Sequence, residues 1–411
     1  MSGGTATAAE PAVPPQPSTI QRIRLYNFRN YSELNLELEA GLNVFVGQNA
    51  QGKSNLLEAV ATLLLTRSPR ATTPAELLRW GCDEAAVDAV IAQPPTAASL
   101  GLRLRRSAEP ATAETRREGR PALGPAVAAG SRRVSRTSLL EGKPVPARSV
   151  LGRCPVVLFW PDDLQLVKGG PEARRHLVDT LMSQLDHRGA EALLRYRRVL
   201  EQRNALLRQV RLGAPASQLD PFDAALARHG ARVQVGRAAV VTGLDPIARS
   251  FMGRLSGDRE QLRLRYRPGS GIDSDDEQVV ASALLEALAR SRNEDLARGI
   301  TLTGPHRDDL DYLIDGRPAR PNASQGQQRS AVLASKLAEL AYARDVSGRV
   351  PVLLLDDVLS ELDQIRRGQL LDALMSGSGS PQTLVTSVDG VGLERAEVRV
   401  FAVREGRVLR R

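Results

Sequence analysis

Apolar and polar residues alternate in two segments near the start of the chain. Residues 20–25 run Ile-Gln-Arg-Ile-Arg-Leu, and residues 34–39 run Leu-Asn-Leu-Glu-Leu-Glu. Because side chains of a strand point alternately to its two faces, these segments predict half-buried strands. A short apolar run over 42–46 predicts a third strand. It is followed by Gly47 and by helical spacing from about Ser54 to Leu65, so we predict a strand, a glycine-bearing loop and a helix.

The apolar spacing changes in the middle of the chain. Further strands are predicted over 86–106, 132–150 and 156–159, whereas from about Asp162 to Arg298 apolar residues recur at helical intervals, as at Leu193, Val199 and Leu206. Strand–loop–helix alternation returns from Gly299. We therefore predict an α/β protein with a disordered tail at 1–18, a head formed by 19–160 and 300–411, and an inserted, mainly helical lobe at 161–299.

Composition narrows the class of partner. The chain has 411 residues, a formal net charge of +9 and a pI near 10.1, which favours a polyanion, with nucleic acid ahead of a membrane surface. An Arg-biased composition would give the same charge without a nucleic-acid partner. No apolar run approaches the roughly 18 residues that a membrane span needs, and the start lacks the pattern of a signal peptide. We predict a cytoplasmic protein without a membrane partner.

A phosphate-binding motif follows the third predicted strand. Residues 47–54 fit G-x-x-x-x-G-K-S, and such a loop curls so that its N–H groups face phosphate oxygens. We expect Lys53 to reach the outer phosphates of ATP and the Ser54 hydroxyl to bind Mg²⁺. The remaining nucleotide-binding residues of the loop are Gly47, Gln48, Asn49, Ala50, Gln51 and Gly52. Alanine at position 50 is tolerated if that residue needs no positive φ.

Two adjacent carboxylates follow a second apolar run, Val352–Leu355. Asp356 is placed to hold Mg²⁺ through water, and Asp357 is placed to orient or deprotonate the attacking water, which makes it the candidate catalytic residue. A strand followed by an acidic turn is the plainer interpretation. The pairing with Lys53 favours an ATPase.

Residues 323–329, Ala-Ser-Gln-Gly-Gln-Gln-Arg, resemble the ABC signature S-x-G-Q. By that resemblance Ser324, Gly326 and Gln327 bind the γ-phosphate of an ATP held by a second subunit. An ordinary helix cap at Ser324 is the alternative. Residues 359–363, Leu-Ser-Glu-Leu-Asp, resemble the ABC D-loop at the dimer interface, and Asp363 is assigned to the nucleotide site on that resemblance.

Several longer segments resemble the RecF family of ABC-type ATPases, whose heads are similar to those of Rad50 and SMC proteins. They are Asn27–Tyr31, Pro161–Gly169, Arg174–Arg175, Glu201–Asn204, Gly304–Asp309 and Ser324–Ser330. The resemblance implies an ABC-type head, ATP and Mg²⁺ as cofactors, an ATP-dependent homodimer on DNA, and weak, DNA-stimulated hydrolysis. It also implies action at single-strand gaps on single- and double-stranded DNA, with RecR and functionally RecO, in recombinational repair, replication and the SOS response.

Two expected ABC elements lack their usual residues. Pro161, Asp162 and Asp163 stand where a Q-loop glutamine is expected, and no histidine switch follows the strand Thr383–Val385, where Ser387 lies nearby.

Four other classes of protein compete. The main alternative is the nucleotide-binding subunit of an ABC transporter, but about 300 residues separate Lys53 from Asp356. The sequence shows neither the sustained heptads nor the C-x-x-C hook of a Rad50-type arm. A small-molecule kinase would not explain residues 324–327, and a purely structural DNA-binding protein would not explain the phosphate motif.

Two groups of arginines are candidates for DNA contact. The first is Arg103, Arg105 and Arg106 on a predicted strand, and the second is Arg195, Arg198 and Arg203 on a predicted helix. Alternation places Arg103 and Arg105 on one strand face, and a three-residue spacing places Arg195 and Arg198 on one helix face. Solvated faces of an Arg-rich protein are the alternative.

Overall fold

The computed structural model describes residues 16–93, 96–110, 132–362, 364–375, 380–388 and 398–410. This part of the chain contains two six-stranded sheets, a three-stranded sheet, a two-stranded sheet and a helical lobe. The strands are β1 Gln16–Pro17, β2 Thr19–Phe28, β3 Tyr31–Glu37, β4 Leu42–Val46, β5 Glu84–Gln93, β6 Thr96–Pro110, β7 Arg132–Leu140, β8 Lys143–Val145, β9 Val156–Phe159, β10 Leu262–Arg267, β11 Asp309–Ile314, β12 Arg317–Pro318, β13 Arg349–Val350, β14 Val352–Asp356, β15 Thr383–Ser387, β16 Val398–Arg404 and β17 Arg407–Arg410. The helices are α1 Lys53–Leu64, α2 Gln165–Lys168, α3 Pro171–Leu185, α4 His187–Val210, α5 Asp220–Ser256, α6 Glu277–Arg298, α7 Ala319–Asn322, α8 Gln325–Ser347, α9 Val358–Glu361 and α10 Gln364–Met375.

The first sheet carries the strands next to the phosphate motif. Its order is β17-β16-β4-β15-β14-β9, and every neighbouring pair is parallel except β16–β17. Since the carboxyl ends of parallel strands meet at one edge, the residues that follow β4, β14 and β15 come together there. The second sheet, in the order β3-β2-β5-β6-β7-β8, is antiparallel throughout.

Helix α1 lies between the two sheets. Leu56, Leu57, Val60 and Leu64 of α1 share one apolar core with inward residues of both sheets, so this helix is buried on almost all sides. The predicted Ser54–Leu65 helix is confirmed within one residue, the strand over 42–46 matches β4, and the strands over 20–25 and 34–39 match β2 and β3 within three residues. Burial between two sheets fixes the direction of the helix and therefore the position of its first turn.

The inserted segment is mainly helical, as the apolar spacing predicts. Helices α3 to α6 bury one core, which also includes Ala331, Ala334 and Ala338 of α8. The opposite face of α8, with Leu333 and Leu337, packs on the parallel sheet. Helix α8 therefore connects the lobe with the head.

Contacts cross two of the predicted boundaries, at residue 299 and at residue 18. Strand β10, within the predicted lobe, pairs along its full length with β11, which follows residue 299, so we keep the division at residue 299 as a proposal. At the start of the chain, the predicted tail overlaps β1, which pairs with β13, and Ser18 is buried. Residues 1–15 and 111–131 lie outside the described residues.

Candidate nucleotide-binding site

The phosphate loop connects β4 to α1, as predicted. Two glycines are required by close approach: a Cβ on Gly47 would lie 2.3 Å from the Val403 carbonyl oxygen, and a Cβ on Gly52 would lie 2.5 Å from Asn30 Nδ2. Gly52 also has φ +112°, a conformation that favours glycine. Gln48, Asn49 and Ala50 are exposed at the tip of the loop, where a ligand can reach their backbone.

Ala50 differs from expectation. Its φ is +65°, so the condition under which alanine would be harmless is not met. A left-handed backbone costs a residue with a Cβ about 1–2 kcal/mol. The loop therefore holds Ala50 in a strained conformation.

Lys53 is buried at the start of α1. Its ammonium donates to the backbone oxygens of Gly47, at 2.5 Å, and Gln48, at 2.9 Å. Burial lowers the pKa of Lys53, while the charges of Asp357 and Asp356 oppose that shift. The charged ammonium is thus held above the loop by carbonyls that a phosphate group can replace.

Ser54 and Asp356 meet across the site although 302 residues separate them. Ser54 Oγ donates to Asp356 Oδ1 at 2.8 Å, and Thr386 Oγ1 donates to the same oxygen at 2.8 Å. Burial raises the pKa of Asp356, and these two hydroxyl donors act against the rise. A hydroxyl and a carboxylate at this separation are the hard oxygen donors that Mg²⁺ prefers.

Asp357 turns away from its strand. It has φ +52°, and its N–H donates to Thr386 Oγ1 at 2.8 Å. Asp357 is half-buried, so its carboxylate remains within reach of solvent. One hydroxyl, that of Thr386, therefore contacts both adjacent aspartates. The sequence predicts a strand over Thr383–Val385 and does not indicate this role of Thr386.

The hairpin that precedes the phosphate loop also belongs to the site, which the sequence did not indicate. In the Asn27–Tyr31 segment, Asn30 Nδ2 donates to the Gln51 oxygen at 3.2 Å and Tyr31 Oη donates to the Gly52 oxygen at 3.0 Å. Arg29 pairs with the buried Glu58 of α1 at 2.8 Å. The segment resembles the RecF family in sequence, and its contacts show that it supports the phosphate loop.

The signature-like segment caps helix α8. Ser324 Oγ accepts from Gln327 N at 3.2 Å, and Gln327 Oε1 accepts from Ser324 N at 2.8 Å, so the helix-cap interpretation is confirmed. Ser324 is exposed. No hydrogen bond within the described residues joins 324–327 to the phosphate loop, so contact with a second subunit's ATP stays a prediction for Ser324, Gly326 and Gln327.

The D-loop-like segment begins where the paired aspartates end. Ser360 Oγ donates to the backbone oxygen of Asp357 at 2.7 Å, and Arg367 Nε donates to the backbone oxygen of Leu359 at 3.0 Å. Asp363 lies outside the described residues, so its assignment stays a prediction.

The two elements without their usual residues have other contacts. Asp163, at the Q-loop position, accepts from Trp160 N at 2.8 Å in a short 3₁₀ turn. Burial raises its pKa, and the charge of Lys336 lowers it. At the switch position the backbone oxygen of Ser387 accepts from Gly47 N at 3.3 Å. This hydrogen bond connects the end of β15 to the phosphate loop.

The Gly304–Asp309 segment belongs to a buried ion network in the lobe. Arg237 binds Asp179 through two hydrogen bonds of 2.8 and 3.1 Å and binds Asp308 at 2.8 Å. Arg174 binds Asp309 in the same two-bond manner, at 2.7 and 3.1 Å. Two family-like segments far apart in sequence, 174–175 and 304–309, are thus partners in space.

The arginines singled out for DNA contact are largely paired. Arg103, Arg105 and Arg106 form ion pairs of 2.8–3.0 Å with Asp88, Glu84 and Asp83, and Arg195 pairs with Glu191. Placing Arg203 on a surface was wrong, because it is fully buried and bound to Asp223 and Asp295. Its spacing from Arg195 and Arg198 is helical, but it points to the core.

Comparison with known proteins decides the family. A curated relative from Gloeobacter violaceus, "DNA replication and repair protein RecF", is 39% identical over 95% of this chain and 98% of its own length. The chain belongs to the RecF family. Another RecF, from Symbiobacterium thermophilum, is 38% identical over 95% of this chain and 98% of its own length.

Structural neighbours agree with this family. A solved RecF–ATP structure, of the recombination mediator protein in the RecFOR pathway, has TM-score 0.82 and 29% identity, covering 96% of this chain and 98% of that one. A family model described as an AAA domain matches residues 22–94. An SMC head, 15% identical with TM-score 0.52, shares the fold alone. This RecF-family chain thus has the predicted ABC-type head, and since its relatives match the lobe too, a transporter subunit is not supported.

Among the described residues, no helix combines the length and apolar character that crossing a bilayer requires.

Proposed function

We propose that this RecF-family ATPase binds ATP and Mg²⁺ at the loop 47–54 and hydrolyses ATP slowly, with stimulation by DNA. The hydrogen bond of 2.8 Å between Ser54 and Asp356 is the observation that carries the proposal. It brings a Walker-type hydroxyl and carboxylate together at the carboxyl edge of a parallel sheet, beside the buried Lys53. When bound, Mg²⁺ would neutralise charge on the phosphates, held by Ser54 directly and by Asp356 through water.

Asp357 is the group that acts on water in this proposal. Its half-buried carboxylate follows Asp356, and the Thr386 hydroxyl fixes its backbone. A carboxylate there can accept a proton from water that attacks the γ-phosphate. Gly47, Gln48, Asn49, Ala50, Gln51 and Gly52 would supply the loop around the phosphates.

A homodimer completes the site. Ser324, Gly326 and Gln327 stand at the start of α8, where the N–H groups of the first helical turn favour an anion, and we assign them, with Asp363, to the ATP of a second subunit. Because α8 packs on both the lobe and the parallel sheet, ATP between two such helices would fix the lobes relative to each other. Two lobes so paired can hold DNA between them.

The names of the relatives support a biological setting for this chain. The curated relatives are named for DNA replication and repair, and the solved RecF belongs to the RecFOR pathway. We propose that this chain acts in the cytoplasm at single-strand gaps, on single- and double-stranded DNA, with RecR and functionally with RecO, and helps to load the recombinase during recombinational repair and the SOS response.

Oligomeric state measured with and without ATP–Mg²⁺ tests the proposal. We expect the wild type to shift from monomer to dimer on adding ATP–Mg²⁺ in light-scattering chromatography, and EDTA to reverse the shift. Lys53→Ala should lose ATP binding and the dimer together, whereas Ser324→Arg should lose the dimer and keep ATP binding. A Ser324→Arg protein that dimerises normally would show that the segment is a helix cap alone. ATP affinity unchanged in Lys53→Ala would overturn the nucleotide site.

A further inference from the structure

Three arginines and one histidine lie near one another between the head and the lobe. Arg67 follows α1, Arg136 lies on β7, His176 lies on α3 and Arg197 lies on α4. We call these four residues the Arg67 cluster. Arg67 Nη2 donates to His176 Nδ1 at 2.8 Å, and the charges of Arg197 and Arg136 act on Arg67. The four residues come from three elements and from the loop after α1, so no window of the sequence displays the group.

The cluster has a surplus of positive charge. Asp179 is the acid that acts on Arg67 and His176, and it is already bound by Arg237 and by Arg197, at 2.9 Å. Within the part of the chain that the structure describes, Arg67 and Arg136 form no ion pair of their own. Their pKa values are lowered, first by surrounding protein and, for Arg67, next by Arg197. Both residues are nevertheless exposed to solvent.

His176 contacts Arg67 without neutralising the positive charge of its guanidinium. Burial first, and the charge of Arg67 second, lower the pKa of His176 to about 4, so the ring is neutral at pH 7. A guanidinium can only donate, and a neutral ring nitrogen accepts from it without cancelling its charge. By contrast, Arg103 on the outer sheet face is bound by the carboxylate of Asp88.

We propose that the Arg67 cluster binds adjacent phosphates of the DNA backbone, an inference that rests on the proposed DNA-binding function. Planar guanidinium groups bind phosphate through paired hydrogen bonds. A surface with a surplus of positive charge also attracts a polyanion. An entering phosphate would relieve the mutual repulsion of Arg67, Arg136 and Arg197, which the free protein has to bear.

The position of the cluster links it with the nucleotide site. Arg67 follows the C-terminal end of α1, whose first turn carries Lys53 and Ser54, and a 12-residue helix spans about 18 Å. The next residue, Ser68, donates to Glu58 of α1 at 2.6 Å. DNA bound at Arg67 would therefore contact a segment fixed to the helix that holds the phosphates.

The salt dependence of duplex binding tests this inference. Affinity for a fluorescent 30-base-pair DNA duplex is measured from low to moderate salt with ATP present, for the wild type and for Arg67→Ala/Arg136→Ala. Each neutralised phosphate contributes nearly one unit to the slope of log affinity against log salt, so the double variant should lose about two units. Its ATP affinity should remain within about twofold of the wild-type value, since neither arginine contacts the loop 47–54.

Two control variants distinguish the charge of the Arg67 cluster from the net charge of the protein. Arg103→Ala/Arg265→Ala removes the same net charge from exposed, ion-paired arginines and should keep the wild-type slope. Arg67→Lys/Arg136→Lys keeps both charges and should keep most of the slope, which a loss of packing would not allow.

Each contrary result has a defined meaning. A wild type that binds no duplex would overturn the proposed DNA-binding function and this inference together. A wild type that binds, with an unchanged slope in the alanine double variant or an equal loss in the matched control, would overturn the inference alone. A double variant that keeps the DNA slope but loses affinity for poly-glutamate would assign the cluster to an acidic protein instead.

Discussion

The nucleotide site and the lobe both bury aspartates, but they satisfy them differently. In the lobe, Asp179 and Asp308 are bound by the buried guanidinium of Arg237. In the nucleotide site, Asp356 accepts from two neutral hydroxyls, those of Ser54 and Thr386, and has no ion pair within the described residues. A carboxylate whose charge is cancelled inside the chain is structural. One held only by neutral donors keeps its charge for a cation, and Mg²⁺ suits such oxygens.

The same distinction applies to cations. Arg237 is bound by carboxylates on two sides, whereas Arg67 is oriented by the neutral His176. A charged side chain that has no oppositely charged partner in the chain is available to a ligand. A charged side chain that is neutralised within the chain supports the fold. Substitutions on each side of this division should therefore change different measurements.

Arg237→Ala should give the largest effect, on stability. Removing the guanidinium leaves Asp179 and Asp308 buried without their main cation, a change that typically costs about 3–5 kcal/mol. Arg197 still binds Asp179, so the lower half of that range is expected. Urea unfolding measures it. ATP affinity at low temperature should be unchanged, because the network lies outside the nucleotide site.

The control for Arg237 is an exposed ion pair. Arg290 pairs with Glu286 one helical turn away, and both side chains are largely exposed, so Arg290→Ala should cost less than about 0.5 kcal/mol. If both variants lost equal stability, the buried network would not be a structural support.

Asp357→Asn should lower ATP hydrolysis about 100-fold or more, the usual contribution of a general base, while ATP affinity stays within about threefold. The substitution keeps the shape and removes the proton acceptor. Single-turnover hydrolysis and equilibrium ATP titration measure the two quantities. Asp345→Asn, at an exposed carboxylate paired with Arg344, should leave both unchanged. Wild-type turnover in Asp357→Asn would assign the water to another group.

Thr386→Val should lower kcat about tenfold, equivalent to about 1.4 kcal/mol, with KM for ATP changed less than threefold. Valine keeps the shape but removes the hydroxyl that donates to Asp356 and accepts from the Asp357 N–H, and an unsatisfied buried group costs about 1–3 kcal/mol. Thr386→Ser should restore kcat. Equal loss in the serine variant would indicate that the methyl group, and so packing, is responsible.

Contiguous motifs were predictable from the sequence, and convergent contacts were not. The loop 47–54 and the run ending at Asp357 each lie on one element, so periodicity and spacing placed them correctly. Thr386 and the Asn27–Tyr31 hairpin act through strands that neighbour the loop only after folding. Arg203 shows the opposite error: helical spacing gives the face of a helix but not which face is buried, and Asp223 and Asp295, which bind it, lie 20 and 92 residues away.

Ala50→Gly should give the smallest effect, and it should be a gain in stability. Alanine at φ +65° costs about 1–2 kcal/mol, and glycine returns about 0.4–1 kcal/mol of that through the greater freedom of the unfolded chain. The net gain in the free energy of unfolding should be about 0.5–1 kcal/mol in a urea titration. Ala289→Gly, at an exposed position inside α6, should instead lose about 1 kcal/mol. A loss at both positions would show that the strain at Ala50 is relieved by contacts its methyl group makes, and that the loop is built around alanine.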